Sequence, residues 1–123
     1  GMIEEVIAAH ADVAEAAVVG AADADKGQLP VAMVVLKSSA TRGGQEIVAE
    51  LVAHVRDQIG PVAAFRHVAI VERLPKTRSG KILRGTMASI ADGKDYKRPA
   101  TIDDPAILPE IASALQNAGY PRN

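Results

Sequence analysis

The sequence predicts an α+β fold in which a three-stranded sheet is flanked by helices, a class indicated by two kinds of hydrophobic pattern. Short apolar runs at 14–20, 30–37 and 68–71 are typical of buried strands. Apolar residues recur at helical spacing over 47–59 and 107–115. A chain of 123 residues, 48% of them hydrophobic, can bury one modest core, so the whole chain is expected to form a single domain.

The N-terminal third predicts a helix followed by an antiparallel pair of strands. Apolar residues at helical spacing, with two glutamates near the start where they suit the helix dipole, predict a helix over residues 3–9. The runs at 14–20 and 30–37 are the predicted strands. Between them, residues 21–28 contain two aspartates and Gly27, which is typical of the loop that joins such a pair.

The middle of the chain predicts one long helix and a third strand. A polar connector at 38–44 precedes the helix, which Gly60 and Pro61 are expected to end. The apolar face of this helix comprises Ile47, Val48, Leu51, Val52, Val55 and Ile59. The strand at 68–71 follows and leads directly into a cationic segment.

Two more helices are predicted after that segment. The first is expected to begin at about Lys81 and to end at Gly93. Residues 94–103 contain a proline and two lysines and are expected to be extended over the surface. Asp104, which a proline follows, is the predicted N-cap of the last helix, and Gly119 is predicted to end it.

Composition excludes several classes of function. The chain has 14 basic and 15 acidic residues, so its net charge of -1 does not steer it toward nucleic acid or an anionic membrane. There is no cysteine for a disulfide or a thiolate metal site, and no apolar run approaches the roughly 18 residues that span a bilayer. These features lead us to expect a cytoplasmic protein.

The N-terminal end suggests that the chain is a fragment. Gly1 precedes Met2, which we interpret as a scar of tag removal, and a helical pattern begins at Ile3 with no strand or cap before it. We therefore expect residues 1–123 to be one domain cut from a larger protein.

The cationic segment 74–84 carries most of the functional information. Pro75 cannot donate to a strand ladder and Gly80 tolerates positive φ, so the segment is expected to leave the strand as a tight loop. Its four cations are Lys76, Arg78, Lys81 and Arg84. Lys81 would then present an ammonium group at the tip of the loop.

Three general interpretations of this segment can be weighed against its residues. It could be a solvated basic turn. A Walker phosphate loop does not fit, because Pro75 and Ile82 occupy positions that this motif reserves for glycine and for serine or threonine. Nucleic-acid binding is disfavoured because the net charge is negative and the only aromatics, Phe65, Tyr96 and Tyr120, lie outside the loop.

A fourth interpretation comes from resemblance to a known family. The run Pro-Lys-Thr-Arg-Ser-Gly-Lys at 75–81 resembles the C-terminal signature of AMP-forming acyl-CoA synthetases, the adenylate-forming superfamily that includes acetyl-CoA synthetase. Three further runs resemble the same family in the same order: Ala-Glu-Ala-Ala-Val-Val-Gly at 14–20, Lys-Gly-Gln at 26–28 and Ile-Gly-Pro at 59–61. The resemblance covers nearly the whole chain.

This resemblance implies a reaction and a role for Lys81. Family enzymes join a carboxylate to the α-phosphate of ATP and then pass the acyl group to coenzyme A, and the lysine at the position of Lys81 serves the first step. Gly80 would let the loop approach closely, while Ser79 and Thr77 could donate to backbone or phosphate. The matching lysine is also a target of acetyltransferases and sirtuin-type deacetylases, so Lys81 is an expected acetylation site.

Two further sites are implied by the same resemblance. Arg56 matches a family arginine that contacts coenzyme A. His10 matches a histidine that holds a magnesium ion together with backbone carbonyls at the positions of Ala8 and Val13. The family often has proline where this chain has Ala11, and imidazole is not the ligand that magnesium favours.

The resemblance also implies partners and a substrate class. The chain would be a small C-terminal lid domain whose partner is its own N-terminal adenylation domain, and the substrate would be a short-chain carboxylate. Residues 82–104 are more similar to propionyl-CoA synthetases than to acetyl-CoA synthetases, which favours propionate over acetate. A non-catalytic interaction module of the same fold is the alternative from another class.

Overall fold

The computed structural model describes residues 2–25, 27–60 and 65–121, which form seven helices and strands. In chain order they are α1 (Met2–Ala8), β1 (Val13–Asp23), β2 (Gly27–Leu36), α2 (Gly44–Ile59), β3 (His67–Ile70), α3 (Arg84–Asp92) and α4 (Ile107–Asn117). The parts of the sequence argument that fall on Gly1, Lys26 and Pro61 lie outside the described residues.

The sheet has the strand order β1-β2-β3 and is mixed. β1 and β2 pair antiparallel from Val13 opposite Leu36 to Asp23 opposite Gly27. β3 runs parallel to β2, a pairing that requires a crossover, and α2 provides it. The α+β class with three strands and flanking helices is therefore confirmed.

Side-chain alternation on the strands divides the core into two halves. One half contains Val31 and Met33 of β2, which pack with residues of α3 and α4. The other half contains Ala32 and Val34 of the same strand, which pack with α1 and α2. All four residues are fully buried. Because successive side chains of a strand point to opposite faces, β2 has one helical layer on each side.

β1 and β2 are longer than the apolar runs predicted, whereas β3 has the predicted length and lies one residue earlier in the chain. β1 continues to Asp23 and β2 already begins at Gly27, so the connection that we expected to occupy residues 21–28 is shorter than predicted. Gly27 has φ +81°, a conformation that glycine adopts without steric cost. Apolar runs mark only the buried middle of a hairpin, whereas backbone pairing extends beyond it.

Side chains cap the outer edge of β1. Within the described residues this strand pairs only with β2, and the amide of Val18 donates to Glu4 Oε1 at 2.8 Å. The amide of Ala22 donates to Asp92 Oδ1 at 2.7 Å. These bonds satisfy two backbone donors at a sheet edge, where unpaired groups invite association with other strands.

The C-terminal part follows the prediction with two changes. Asp104 Oδ1 accepts the amide of Ala106 at 3.0 Å, so it caps the turn before α4, whereas α4 itself begins at Ile107. Residues 94–103 contain no helix or strand, but Ile102 is only 5% exposed and belongs to the core. No helix of the described residues is long and apolar enough to cross a membrane.

Shortening Leu51 to alanine tests the packing of α2 on the sheet. Leu51 is fully buried between α2 and the strands, so L51A should lower the free energy of unfolding by about 2–5 kcal/mol through lost burial and a residual cavity. Chemical denaturation of the purified chain measures this change. Gln45→Ala, on the exposed face of the same helix, is the control and should change stability by less than about 0.5 kcal/mol.

Candidate functional site

The cationic segment 74–84 forms a short hairpin. Its entry arm is 75–77 and its exit arm is 81–83. Lys76 and Ile82 are paired across the two arms. The amide of Thr77 donates to the carbonyl of Lys81 at 2.8 Å, and the amide of Leu83 donates to the carbonyl of Pro75 at 2.9 Å. These bonds set the conformation of the residues on both sides of the tip.

The exit arm corrects the prediction that a helix begins at about Lys81. α3 begins three residues later, at Arg84, because the amide of Leu83 and the carbonyl of Lys81 are committed to the entry arm. Ile82 and Leu83 also pack against the core that α3 and α4 cover. The helical spacing of Ile82 and Leu83 therefore does not mean that they belong to a helix.

The tip of the hairpin explains the glycine and the hydroxyl groups. Gly80 has φ +93°, and an added Cβ would meet no atom within 4 Å, so the backbone conformation is what requires glycine and the space above it is open. Thr77 Oγ1 accepts the amide of Lys81 at 3.1 Å and shares a hydrogen bond of 3.0 Å with Ser79 Oγ. The hydroxyl of Thr77 thus braces the backbone of Lys81.

A neighbouring segment holds the entry arm. Thr77 forms a bridge with Ile102, the amide of Arg78 donates to the carbonyl of Thr101 at 3.0 Å, and the amide of Asp103 donates to the carbonyl of Lys76 at 2.9 Å. The buried side chain of Ile102 ties this segment to the core. The entry arm is therefore fixed to the body of the domain by its backbone.

Carboxylates neutralise two of the four cations of the segment 74–84. Lys76 Nζ lies 2.5 Å from Glu15 Oε1 of β1. Arg84 binds Glu4 of α1 through both carboxylate oxygens, at 2.5 and 2.9 Å. These two cations hold the hairpin in place and are not available to a ligand.

Lys81 has a different environment. Its side chain is exposed, and no ion pair among the described residues includes it. Arg78 is likewise exposed and outside every ion pair of the described part of the chain. Because Thr77 fixes the backbone at Lys81, the structure presents its ammonium group from a defined position with no competing carboxylate.

The ion pair between Glu4 and Arg84 shifts the pKa of both groups. The hydrogen bond from Arg84 lowers the pKa of Glu4 below its ordinary value of 4.5; burial opposes that shift and the bond from Val18 adds to it. The same hydrogen bond raises the pKa of Arg84. Both groups are therefore charged at neutral pH, and the pair is an ionic one.

Arg56 does not lie beside the hairpin. It is exposed near the end of α2, which packs on the face of the sheet that Ala32 and Val34 occupy. The hairpin lies on the opposite face, where Leu74 and Ile82 contact the other core. The structure therefore separates the two cations that the sequence assigned to the two steps of one reaction.

His10 is a buried structural residue in this arrangement. Its ring Nδ1 accepts the amide of Asp12 at 3.0 Å, so the tautomer that fits has its proton on Nε2, which lies 3.0 Å from Glu50 Oε1. Both ring nitrogens are therefore engaged in hydrogen bonds among the described residues. Within the described residues, no group of three or more histidine or acidic side chains could hold a metal ion. The magnesium site at Ala8, His10 and Val13 stays a prediction.

The sequence did not indicate the acidic partners of the hairpin. Glu4 and Glu15 lie far from the cationic segment in the chain, and the fold alone brings them to Arg84 and Lys76. Glu15 belongs to the run at 14–20 that resembles the synthetase family, which was the only available signal for it. No local pattern singled out Glu4.

Comparison with known proteins gives a consistent result. Residues 2–81 match the model of the AMP-binding enzyme C-terminal domain. A protein of Pseudomonas aeruginosa described as uncharacterized is 54% identical over 116 residues, which make up 94% of this chain and 18% of that protein. The mitochondrial acyl-CoA synthetase short-chain family member 3 of Mus musculus is 48% identical over 118 residues, or 96% of this chain and 17% of that protein.

A solved structure agrees with these sequence matches. The crystal structure of Brucella canis acyl-CoA synthetase superposes with a TM-score of 0.65 at 37% sequence identity, over 71% of this chain and 16% of that chain. In each case the chain spans less than a fifth of the matched protein.

Replacing Glu4 with glutamine tests the ionic character of its pair with Arg84. Because the folded-state pKa of Glu4 is lowered, the carboxylate contributes stability above its ordinary pKa of 4.5 and loses it as the pH falls through the folded value. E4Q should therefore lower the free energy of unfolding by about 1 kcal/mol at pH 7, and the difference from wild type should shrink below pH 4.5.

Denaturation at a series of pH values measures this difference. Glu5→Gln is the matched control, because Glu5 is exposed on the same helix and makes no ion pair within the described residues. A stability difference for E4Q that persists unchanged into acid would show that the pair is not ionic.

Proposed function

Because this chain belongs to the family of AMP-binding enzyme C-terminal domains, we propose that it is the C-terminal domain of an ATP-dependent, AMP-forming short-chain acyl-CoA synthetase. The observation that carries this proposal is the exposed ammonium group of Lys81, without an ion-pair partner among the described residues, on a hairpin fixed to the body of the domain. The rest of the site would lie in an N-terminal adenylation domain, and the isolated chain would be inactive.

The first step would require Lys81 because it brings two anions together. A carboxylate oxygen attacks the α-phosphorus of ATP, an acyl-phosphate bond forms, and pyrophosphate leaves. Two unit charges about 4 Å apart at an effective dielectric near 20 interact by roughly 4 kcal/mol. An ammonium group placed between a carboxylate oxygen and an α-phosphate oxygen offsets repulsion of that order and stabilises the charge of the transition state.

The hairpin has the features that this role needs. Lysine is a compact charge on a long stem, so it can reach into a site formed by another domain. The open space above Gly80 would let the backbone of the tip approach phosphate oxygens, with Ser79 beside it. The brace from Thr77 keeps the backbone of Lys81 ordered before a substrate arrives.

The second step would use the other face of the domain. The thiol of coenzyme A attacks the acyl carbon and AMP leaves, and we assign Arg56 to binding the phosphates of coenzyme A. Because Arg56 and the hairpin lie on opposite sides of the sheet, one docked orientation would not present both to a single site. We therefore propose that the domain docks in two orientations, one for each step.

We propose propionate as the carboxylate, with acetate as the second candidate. The similarity of residues 82–104 to propionyl-CoA synthetases supports this choice. The acyl pocket would lie in the adenylation domain. Magnesium would accompany ATP, and no step above depends on His10.

Replacing Lys81 with alanine in the full-length synthetase tests the proposed function. K81A should lower the rate of acyl-adenylate formation by about 10²- to 10³-fold, because it removes the charge that stabilises the transition state. The thioester step, started from supplied acyl-adenylate, should change by less than about fivefold, since its chemistry does not use this ammonium group. The two half-reactions are measured separately, with the isolated chain as the blank.

Arg78→Ala is the matched control, because Arg78 is another exposed cation of the hairpin without an ion-pair partner in the described part of the chain. It should leave adenylation within about fivefold of wild type if position, and not total charge, determines the effect. Equal losses in both half-reactions of K81A would contradict the role of Lys81.

Acetylation of Lys81 should act as a switch. An acetyl group removes the positive charge, so full-length synthetase acetylated only at this residue should lose adenylation as K81A does and keep the thioester step. Site-specific incorporation of acetyl-lysine provides the sample, and treatment with a sirtuin-type deacetylase should restore the rate. Protein acetylated at Lys37, an exposed lysine outside the hairpin, is the control and should keep its adenylation rate, and a fully active Lys81-acetylated enzyme would refute the switch.

A further inference from the structure

We propose that Glu4 and Arg84 are a positioning pair that fixes the exit arm of the hairpin and thereby sets the location of Lys81 during adenylation. This inference rests on the proposed function and adds to it two residues that do not touch the substrate. Helix α1 covers one face of the sheet, and Lys81 belongs to the hairpin on the other face. The proposal gives α1 a role in positioning Lys81.

The geometry of the pair is that of a fixed link. Arg84 donates through two nitrogens to the two oxygens of Glu4, at 2.5 and 2.9 Å, and such forked pairing restrains direction as well as distance. Glu4 Oε1 also accepts the amide of Val18. The side chain of Glu4 is only 22% exposed, and its carboxylate is held by the amide of Val18 as well as by Arg84.

The exit arm depends on this link more than the entry arm does. The entry arm has backbone bonds to Thr101 and Asp103 and an ion pair to Glu15. Among the described residues, the backbone bonds of the exit arm go to the entry arm and, through the carbonyl of Leu83, to the amide of Met87 in α3. Arg84, directly after the exit arm, is the point at which a charged side chain ties this arm to another part of the domain.

The location of Arg84 supports the same conclusion. It is the first residue of α3, and a cation is unfavourable at the N-terminus of a helix because the helix dipole is positive there. Pairing with Glu4 offsets this repulsion. The presence of an arginine at this position is therefore explained by its ion pair with Glu4 of α1, and not by a preference of the N-terminus of α3.

The link also joins the two layers of the domain. Ile7 anchors α1 in the core on one face of the sheet, and Glu4 reaches the outer edge of β1 at Val18. From that edge Arg84 leads directly into α3, whose Met87 is buried in the core on the other face. If the link is lost, the first turn of α3 loses its tie to α1, and the exit arm, which is bonded to α3 through Leu83, can shift with this turn and move Lys81.

Variants of the full-length synthetase separate this role from simple stability. E4Q keeps an oxygen that can accept the amide of Val18 but removes the charge that binds Arg84, and R84Q removes the other partner. Asp92→Asn is the matched control, because Asp92 is a carboxylate that caps another backbone amide, that of Ala22, on the same edge of β1. Melting of each variant reports the loss of stability.

E4Q and R84Q should each lower the rate of acyl-adenylate formation by about 10- to 100-fold, because a displacement of about 1 Å has effects of that size. KM for ATP and the carboxylate and the thioester half-reaction should change by less than about threefold, and D92N should leave both steps near wild type. The double variant E4Q/R84Q should lose no more adenylation than either single variant, since the two residues act as a unit.

The outcomes distinguish failure of this inference from failure of the proposed function. If K81A is selectively defective in adenylation while E4Q and R84Q have wild-type rates, the positioning pair is wrong and the function stands. Equal adenylation losses in E4Q and D92N would mean that the effect is general destabilisation. If K81A itself shows no selective loss, the proposed function fails first.

Discussion

The complete burial of Val31–Val34 in β2 is the constraint on which the rest of the domain depends. A strand buried on both faces needs a helical layer on each side, and a short chain can supply these layers only if its helices are divided between the two faces. α1 and α2 cover one face, and α3 and α4 cover the other. The separation of Arg56 from the hairpin is a direct consequence of this arrangement.

The distribution of counter-charges then gives the hairpin its chemical character. Lys76 and Arg84 are held by carboxylates of β1 and α1, so their charges serve the structure. Lys81 has no such partner in the described part of the chain, although its backbone is fixed by Thr77. A catalytic cation needs both properties, because a mobile lysine loses entropy on binding and a paired one must first be released.

The sequence predicted the features that depend on local pattern. Helical spacing located α2 and α4, apolar runs located the middles of the strands, and Gly80 indicated the positive φ at the tip. Prediction from the sequence was wrong where contacts between separate segments decide the structure. For example, α3 begins only at Arg84 because the amide of Leu83 donates to the carbonyl of Pro75. Glu4 could not be found from sequence because 80 residues separate it from Arg84, and the Nε2 hydrogen bond of His10 likewise depends on the distant residue Glu50.

The central claim is that this domain delivers the charge of Lys81 to a reaction centre in another domain. The most direct measurement is a structure of the full-length synthetase with ATP and an unreactive carboxylate analogue bound. We expect Lys81 Nζ to lie within about 3 Å of both a carboxylate oxygen and an α-phosphate oxygen, with the hairpin conformation unchanged. A complete adenylation site in which another cation bridges these oxygens and Lys81 points to solvent would contradict it.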